Sequence, residues 1–254
     1  MIPRPYIVEW QEHAPWKSFD QIEQDLIISQ TLVAIFSDDF LKENMTFRGC
    51  TALHKLYLNP APRYSEDIDL VHIKRGPTKP IMRRLGEVIY FFEESRRTEV
   101  RGHGAKALYR FNSAEYGNTR RRLKLEIKCK EHFKVLDWIV FSFEIKNRWF
   151  SGKAQIRTYN LNELVGTKLR ALYQRSKDWN LFDLDYSLLH ISLDNKSIVQ
   201  CFKEYMAFSV GKPLSQKEFL RNIEEKENDS SITGDMEAFY DPKLVMIKRL
   251  LLGG

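Results

Sequence analysis

The sequence predicts an α/β fold, in the α+β sense, with a helical C-terminal part. Strand-like and helix-like apolar patterns alternate along the first part of the chain, which is typical of an α/β core. From Asn160 onward the apolar residues recur essentially at helical spacing. We therefore expect an α/β core with an N-terminal arm over residues 1–158 and a helical region over residues 159–254.

The N-terminal segment predicts an arm followed by a long helix. Residues 1–17 combine three prolines with two tryptophans and show no regular period, so we expect an arm that lies on the body of the protein. Ser18 and Gln21 form a capping-box pattern that predicts the start of a helix. Apolar residues then recur at helical spacing as far as Phe40.

The middle of the chain predicts the strands of the core. The segment "MTFRGCTALHKLYL" predicts a short strand, a turn at Gly49 and a helix that Thr51 caps. "RYSEDIDL", residues 63–70, predicts a second strand, after which Pro80 opens an amphipathic helix. Further strands are expected between about residues 97 and 146, where "RLKLEIKC" alternates apolar and charged residues.

The strand "RYSEDIDL" carries two aspartates on one face. Asp67 and Asp69 are two residues apart, so their side chains point the same way, with Cα atoms about 6.6 Å apart. Like charges this close repel unless a cation lies between them, and Mg²⁺ prefers oxygen ligands of this kind. From the spacing alone, an edge strand whose acids deter pairing is the better explanation. Mg²⁺ binding by Asp67 and Asp69 in catalysis is the functional interpretation, and the segment just upstream shifts the balance toward it.

The segment "FRGCTAL" predicts a phosphate-binding turn just upstream of these acids. Backbone N–H groups at Gly49 and Cys50, next to a helix N-terminus, are suited to a triphosphate. Arg48 is a candidate phosphate contact, although it equally fits an ordinary surface arginine. Thr51 is a candidate nucleotide contact, with helix capping as the alternative. Ser65 shares the face of the acids and is suited to orienting a ligand oxygen.

The order strand, glycine turn, helix and Asp-x-Asp strand resembles a known family. Together with "NELVGTKLRALYQRSKDWNLFDL", the segments "FRGCTALHKLYL" and "RYSEDIDL" are similar to the nucleotidyltransferase-fold toxins of the AbiEii/AbiGii type, found in abortive-infection and toxin–antitoxin systems. The resemblance spans most of the chain. It implies a mixed sheet with the nucleotidyltransferase fold and a cognate antitoxin as partner.

The third motif predicts a helix that carries a lysine on its apolar stripe. Asn160 and Glu163 supply a start signal, and Lys168 then falls among the leucines of the stripe. Its stem either extends to the surface or its ammonium meets a fixed anion. Arg175, two turns along, would extend a basic ladder for phosphates. The resemblance implies that Lys168 is a catalytic-site residue, and we include Asp183 of "LFDL" with it.

Four further positions decide how complete the site is. Glu126 is a candidate third metal ligand, because nucleotidyltransferase folds commonly add an acid from a neighbouring strand, but a ladder of alternating charges explains it equally. Cys50 stands where the family usually has glycine or serine. Trp179 and Asn180 stand where it usually has an Arg-Asp pair, so the enzyme would be impaired if that aspartate is catalytic. Asn180 is also placed to cap a new helix.

The composition is compatible with a polyanionic partner and argues against disulfide-rich, zinc-binding and membrane-spanning proteins. A net charge of +6 and an isoelectric point near 9.1 are compatible with a polyanionic partner. Three widely spaced cysteines fit neither a disulfide framework nor a zinc site. No apolar run approaches the ~18 residues of a membrane helix, so we expect a cytoplasmic protein that does not bind membranes.

The resemblance implies the function. We expect a Mg²⁺-dependent enzyme that transfers a nucleotide from a nucleoside triphosphate to an RNA acceptor, notably tRNA. The basic segments "HIKRGPTK" and "TRRRLKLEIKCK" are candidate RNA-facing surfaces, although solvated charge runs are commoner. The alternatives are an inactive nucleotide-, RNA- or partner-binding module of the same fold, and an enzyme that modifies a protein or a small molecule.

Overall fold

A computed structural model describes residues 2–227 except 59, 93–95, 103, 115–118, 176–177 and 212–214. The described chain forms two compact units. The first comprises residues 1–134 and 138–159, and the second comprises residues 135–137 and 160–254. The helices are α1 (Arg4–Trp10), α2 (Phe19–Ser37), α3 (Asp39–Asn44), α4 (Gly49–Ala52), α5 (Thr78–Val88), α6 (Leu161–Gln174), α7 (Asp178–His190), α8 (Asn195–Val210) and α9 (Gln216–Glu227), and the strands are β1 (Met45–Arg48), β2 (Asp67–His72), β3 (Arg97–Arg101), β4 (Gly104–Asn112), β5 (Arg120–Lys128), β6 (Ile139–Lys146) and β7 (Ser151–Thr158).

The first unit is built on a mixed sheet of seven strands in the order β3-β4-β5-β2-β1-β7-β6. Strand β2 runs parallel to β5, and β1 runs parallel to β7, whereas the other neighbours are antiparallel. This arrangement confirms the predicted α/β class and the mixed sheet. It also places the acidic strand β2 in the centre of the sheet, which excludes the alternative of an edge strand.

The core of the first unit lies on one face of this sheet. In β5 the residues Leu123, Leu125 and Ile127 are buried, while the charged residues between them face the other way, as the alternation predicted. Helices α2 and α5 lie on the buried side, because the Gln24 side chain of α2 donates to the carbonyl of Arg122 and α5 accepts from a tyrosine of β4.

The second unit is helical, with its own apolar core, and one buried carboxylate fastens residues 135–137 to it. Glu163 of α6 accepts hydrogen bonds from the N–H groups of Val135 and Leu136, at 2.9 and 2.8 Å, and from the hydroxyl of Tyr205. The capping box predicted for Asn160 and Glu163 is therefore wrong in its second half. Asn160 does cap α6, accepting from the N–H two residues later, but Glu163 is used elsewhere.

Three local predictions differ from the structure. The predicted arm contains helix α1, because proline is compatible with the first turn of a helix. Strand β2 begins at Asp67, so Ser65 precedes it in a loop. The helix after Gly49 is regular only for one turn and then widens into a π-helical segment, Leu53–Tyr57, in which the N–H of Leu58 bonds to the carbonyl of Leu53.

Candidate active site

The glycine turn and the acidic strand are in direct contact. Gly49 follows strand β1 with a positive φ of 84°, a conformation that favours glycine. A methyl group at this position would overlap the carboxylate of Asp69 and lie 2.8 Å from its Cγ. The absence of a side chain at Gly49 therefore creates the space in which the Asp69 carboxylate lies against the turn.

Side-chain hydroxyls fasten the turn to the start of the acidic strand. The Thr51 hydroxyl donates to the backbone carbonyl of Asp67 and lies 2.6 Å from the Ser65 hydroxyl. The Cys50 thiol lies 3.1 Å from the same Ser65 oxygen. Helix capping by Thr51 was a wrong prediction, because the helix begins at Gly49 and Thr51 lies inside its first turn. Thr51, Ser65 and Cys50 thus position the turn relative to Asp67.

Strand β5 completes the charge pattern of this face. In the parallel pairing of β2 with β5, Asp67 lies beside Lys124, and Asp69 lies beside Glu126. The Lys124 ammonium is 2.5 Å from Oδ2 of Asp67 and 3.3 Å from Oε1 of Glu126. Lys106 of β4 lies 3.2 Å from that same Glu126 oxygen. Lys124 therefore places an ammonium against Asp67 in the described structure.

Burial and charge act together on the pKa values of these groups. Burial raises the pKa of Asp67 above its ordinary value, and Lys124 offsets this only in part. Burial would also raise the pKa of Glu126, but Lys124 and Lys106 outweigh it and lower the pKa. Burial would lower the pKa of Lys124, but Asp67 and Glu126 outweigh it and raise the pKa. Lys124 is therefore fully charged at neutral pH.

Arg48 is buried beside the turn. Its guanidinium forms an ion pair with Glu131 and lies over the ring of Tyr159, 5.7 Å from the ring centroid. With only 7% of its surface exposed, Arg48 is not the surface arginine of the alternative interpretation. Its charge is balanced by a carboxylate within the same unit.

The second unit holds Lys168 and Asp183 as a buried ion pair. The Lys168 ammonium lies 2.6 Å from Oδ2 of Asp183, which is on α7 and whose side chain is fully buried. Of the two alternatives for this lysine, the structure therefore supports the fixed anion. Asp183 also offers its backbone carbonyl to the Ser187 hydroxyl.

Two predictions for the second unit are wrong in their geometry. Arg175 does not continue the helical stripe of Lys168, because α6 ends at Gln174 and Arg175 has an extended backbone. Asn180 does not cap a helix, because α7 begins at Asp178 and Asn180 is its third residue. The side chain of Trp179, next to it, lies outside the described residues.

The donor set beside Gly49 fits a hard divalent cation. Asp67 and Asp69 offer carboxylate oxygens on one face of β2, and the space above Gly49 admits the Asp69 carboxylate. A cationic group already lies against Asp67. Over residues 2–227, apart from the gaps given above, no three His, Cys, Asp or Glu side chains form a metal-binding group. At this turn Asp67 and Asp69 are the described carboxylates that would face such a cation, and a nucleotide's phosphates would supply further oxygens.

Comparison with known proteins identifies the family. Residues 30–246 match the family of nucleotidyl transferase AbiEii toxins of type IV toxin–antitoxin systems. The chain belongs to the AbiEii family. This match covers both units, from α2 of the sheet-bearing unit to beyond α9, and confirms the family predicted from the motifs. No curated protein matches the sequence.

Solved structures show that the AbiEii-family chain has the nucleotidyltransferase fold. MenT4, a nucleotidyltransferase toxin from Mycobacterium tuberculosis, is 14% identical with a TM-score of 0.61, over 100% of this chain and 99% of its own. JHP933 from Helicobacter pylori is 15% identical with a TM-score of 0.55, over 92% and 91% of the two chains. At this identity the likeness concerns the fold. In the part of the AbiEii-family chain that the structure describes, no helix is long and apolar enough to span a membrane.

Proposed function

We propose that this AbiEii-family toxin is a Mg²⁺-dependent enzyme that transfers a nucleotide from a nucleoside triphosphate to an RNA acceptor, with tRNA as the expected class. The observation that carries the proposal is the contact of the Gly49 turn with the Asp69 carboxylate, beside Asp67 on the same strand face. A phosphate-binding turn and a pair of metal ligands are thereby held together. A cognate antitoxin would be the protein partner, and the cytoplasm the site of action.

The two aspartates are the proposed ligands of the metal. Magnesium bound there would polarise phosphate oxygens and balance the charge that develops during phosphoryl transfer. Asp67 and Asp69 lie on the central strand of the sheet, so their backbone is held on both sides by neighbouring strands. This rigidity favours a fixed spacing of the carboxylates, as an electrostatically organised site requires.

The turn is the proposed holder of the triphosphate. Gly49 and Cys50 present backbone N–H groups at the start of a helix, where an anion is stabilised. Thr51 and Ser65 fix this turn against β2 and contribute polar oxygens beside it. Arg48 supports the turn from behind through its pair with Glu131. For Lys168 and Asp183 we propose the catalytic role that the family implies, with the aspartate holding the ammonium in position.

The acidic face of the sheet continues into a strongly basic surface, which supports RNA as the acceptor. Side chains on one face alternate along each strand, and the pairing of β5, β4 and β3 aligns their basic residues with Asp67. Contacts between basic side chains and backbone phosphates dominate the affinity of proteins for nucleic acids. The basic side chains on this face are Arg97, Arg101, Lys106, Arg110, Arg120, Arg122, Lys124 and Lys128.

A binding module without turnover is the second candidate. It is favoured by one observation, the amide of Asn180 where the family usually has a carboxylate, on the same helix as Asp183. An amide neither accepts a proton at neutral pH nor balances a cation.

One assay separates these functions. The protein is incubated with each labelled nucleoside triphosphate, MgCl₂ and total RNA, and the label is followed into RNA, protein and small molecules. We expect the label in RNA, and we expect Asp67→Asn and Asp69→Asn to abolish it while leaving the melting temperature without metal within a few degrees of the parent. Label in protein would identify a different acceptor. No label with any nucleotide, together with retained RNA binding, would support the binding module.

A further inference from the structure

Lys124 occupies a position between two carboxylates that differ in their proposed roles. Its ammonium is 2.5 Å from Oδ2 of Asp67, a proposed metal ligand, and 3.3 Å from Oε1 of Glu126. The Lys124 side chain is 30% exposed, so it retains room to move. Lys124 therefore has a close partner and a second partner within reach of a small rotation.

A divalent cation at Asp67 and an ammonium at the same carboxylate repel each other. Two charges of like sign a few ångströms apart raise the free energy even in water, and more so at a half-buried site. Glu126 offers the ammonium an alternative anion on the same strand face, where Lys106 also pairs with it. Transfer of the ammonium from Asp67 to Glu126 would keep every charge paired when the cation binds.

We propose that Lys124 is the internal counter-ion of the metal site, that a divalent cation displaces its ammonium from Asp67, and that Glu126 is a positioning residue which receives the displaced ammonium. This inference rests on the proposed metal site at Asp67 and Asp69. It assigns Glu126 to the lysine rather than to the metal. Lys124 then sets the metal concentration at which the site fills.

Metal titration tests the first part of the proposal. Isothermal titration calorimetry with MnCl₂ in 0.15 M KCl gives the metal Kd of the parent and of Lys124→Met. Removal of the ammonium should tighten Mn²⁺ binding about tenfold, because a neighbouring positive charge is lost. Arg120→Met is the matched control, since it removes one positive charge from the same face of β5, about 13 Å along the strand from Lys124, on the side away from Asp69 and beyond the screening length. Its Kd should change less than about twofold.

A double-mutant cycle tests the role of Glu126. If Glu126 acts through Lys124, Glu126→Gln weakens Mn²⁺ binding several-fold in the parent but less than about threefold in the Lys124→Met background, where only screened charge remains. A direct metal ligand would instead weaken binding by the same factor in both backgrounds, because the loss of a coordinating oxygen does not depend on Lys124. That second result would overturn the assignment of Glu126.

The outcomes distinguish this inference from the proposed function. Unchanged or weaker Mn²⁺ binding by Lys124→Met, with metal binding by the parent that Asp69→Asn removes, would overturn the counter-ion role and leave the metal site intact. Mn²⁺ binding that is insensitive to Asp69→Asn would overturn both. Circular dichroism verifies folding, and Lys124→Gln replaces Lys124→Met if that variant does not fold. Lys124→Arg, which keeps the charge, should resemble the parent.

Discussion

The buried pair of Lys168 and Asp183 allows a structural role to be separated from a catalytic one. The lysine side chain is 10% exposed and the aspartate side chain is fully buried, with 2.6 Å between the charged atoms. Lys168→Met keeps an unbranched apolar stem on the helix and deletes only the ammonium. The variant therefore removes the Lys168 ammonium from a carboxylate that stays in the interior.

The expected cost follows from this burial. Removing one partner of a buried ion pair typically lowers the free energy of unfolding by about 3–5 kcal/mol, because the remaining buried charge loses the opposite charge that compensated its desolvation. In a chain of this size that corresponds to a fall in melting temperature of roughly 10 °C. Adding Asp183→Asn removes the stranded charge, so the double variant should recover most of the loss.

Thermal unfolding followed by circular dichroism measures this series. The control is Lys203→Met, which removes an exposed lysine from α8 of the same unit and should change the free energy of unfolding by less than about 0.5 kcal/mol. Transfer activity is then measured on the refolded and stable double variant. We expect it to be inactive although it is stable.

Two results would refute this reasoning. A melting temperature of Lys168→Met within about 2 °C of the parent would show that the pair is not desolvated in solution. Full transfer activity in the stable double variant would show that the pair has only a structural role, and Lys168 and Asp183 would be removed from the proposed catalytic residues.

Three other variants test separate parts of the structure. Gly49→Ala should cost about 1–2 kcal/mol for its positive φ and should abolish transfer by displacing Asp69, whereas activity equal to the parent would exclude the glycine contact as a site feature. Burial acts to raise the pKa of Asp38, but Arg84 and a backbone N–H outweigh it and lower the pKa. The ionised Asp38 therefore stabilises the fold above the ordinary aspartate pKa of about 3.9, and this stabilisation is lost as pH falls through the pKa of the folded state. The melting temperatures of the parent and Asp38→Asn should therefore converge in acid, and a constant difference down to pH 2 would contradict this. Asn180→Asp should raise the rate of labelled-nucleotide transfer beyond its effect on melting temperature, and equal rates would mean that this position is structural.

The sequence predicted what depends on local pattern. Strict alternation gave strand β5 and its two faces, and the positive-φ turn at Gly49 followed from a glycine between a strand and a helix. Helix α1 replaces part of the predicted arm although its signal is local, because prolines are typical both of a helix start and of an irregular segment.

The contacts that complete the site join residues that are far apart in the sequence and lie on different strands or helices. Lys124 meets Asp67 only because β5 runs parallel to β2 in one register, and nothing within either segment specifies that register. The fixed anion of Lys168 is likewise contributed by another helix, 15 residues along the chain. Alternation placed Lys124 and Glu126 on one face, but their ionic partners required the fold.

The hydrogen bonds of Glu163 have a consequence for synthesis and dissection of the chain. Val135 and Leu136 leave the ribosome before α6 exists, so their N–H groups acquire this partner only after β6, β7 and the helix have been made. A fragment that begins at residue 160 lacks both donors and leaves a buried carboxylate short of two hydrogen bonds, which is costly. The helical unit therefore cannot be excised by a single cut, and a graft of it onto another protein must include residues 135–137 as a second segment.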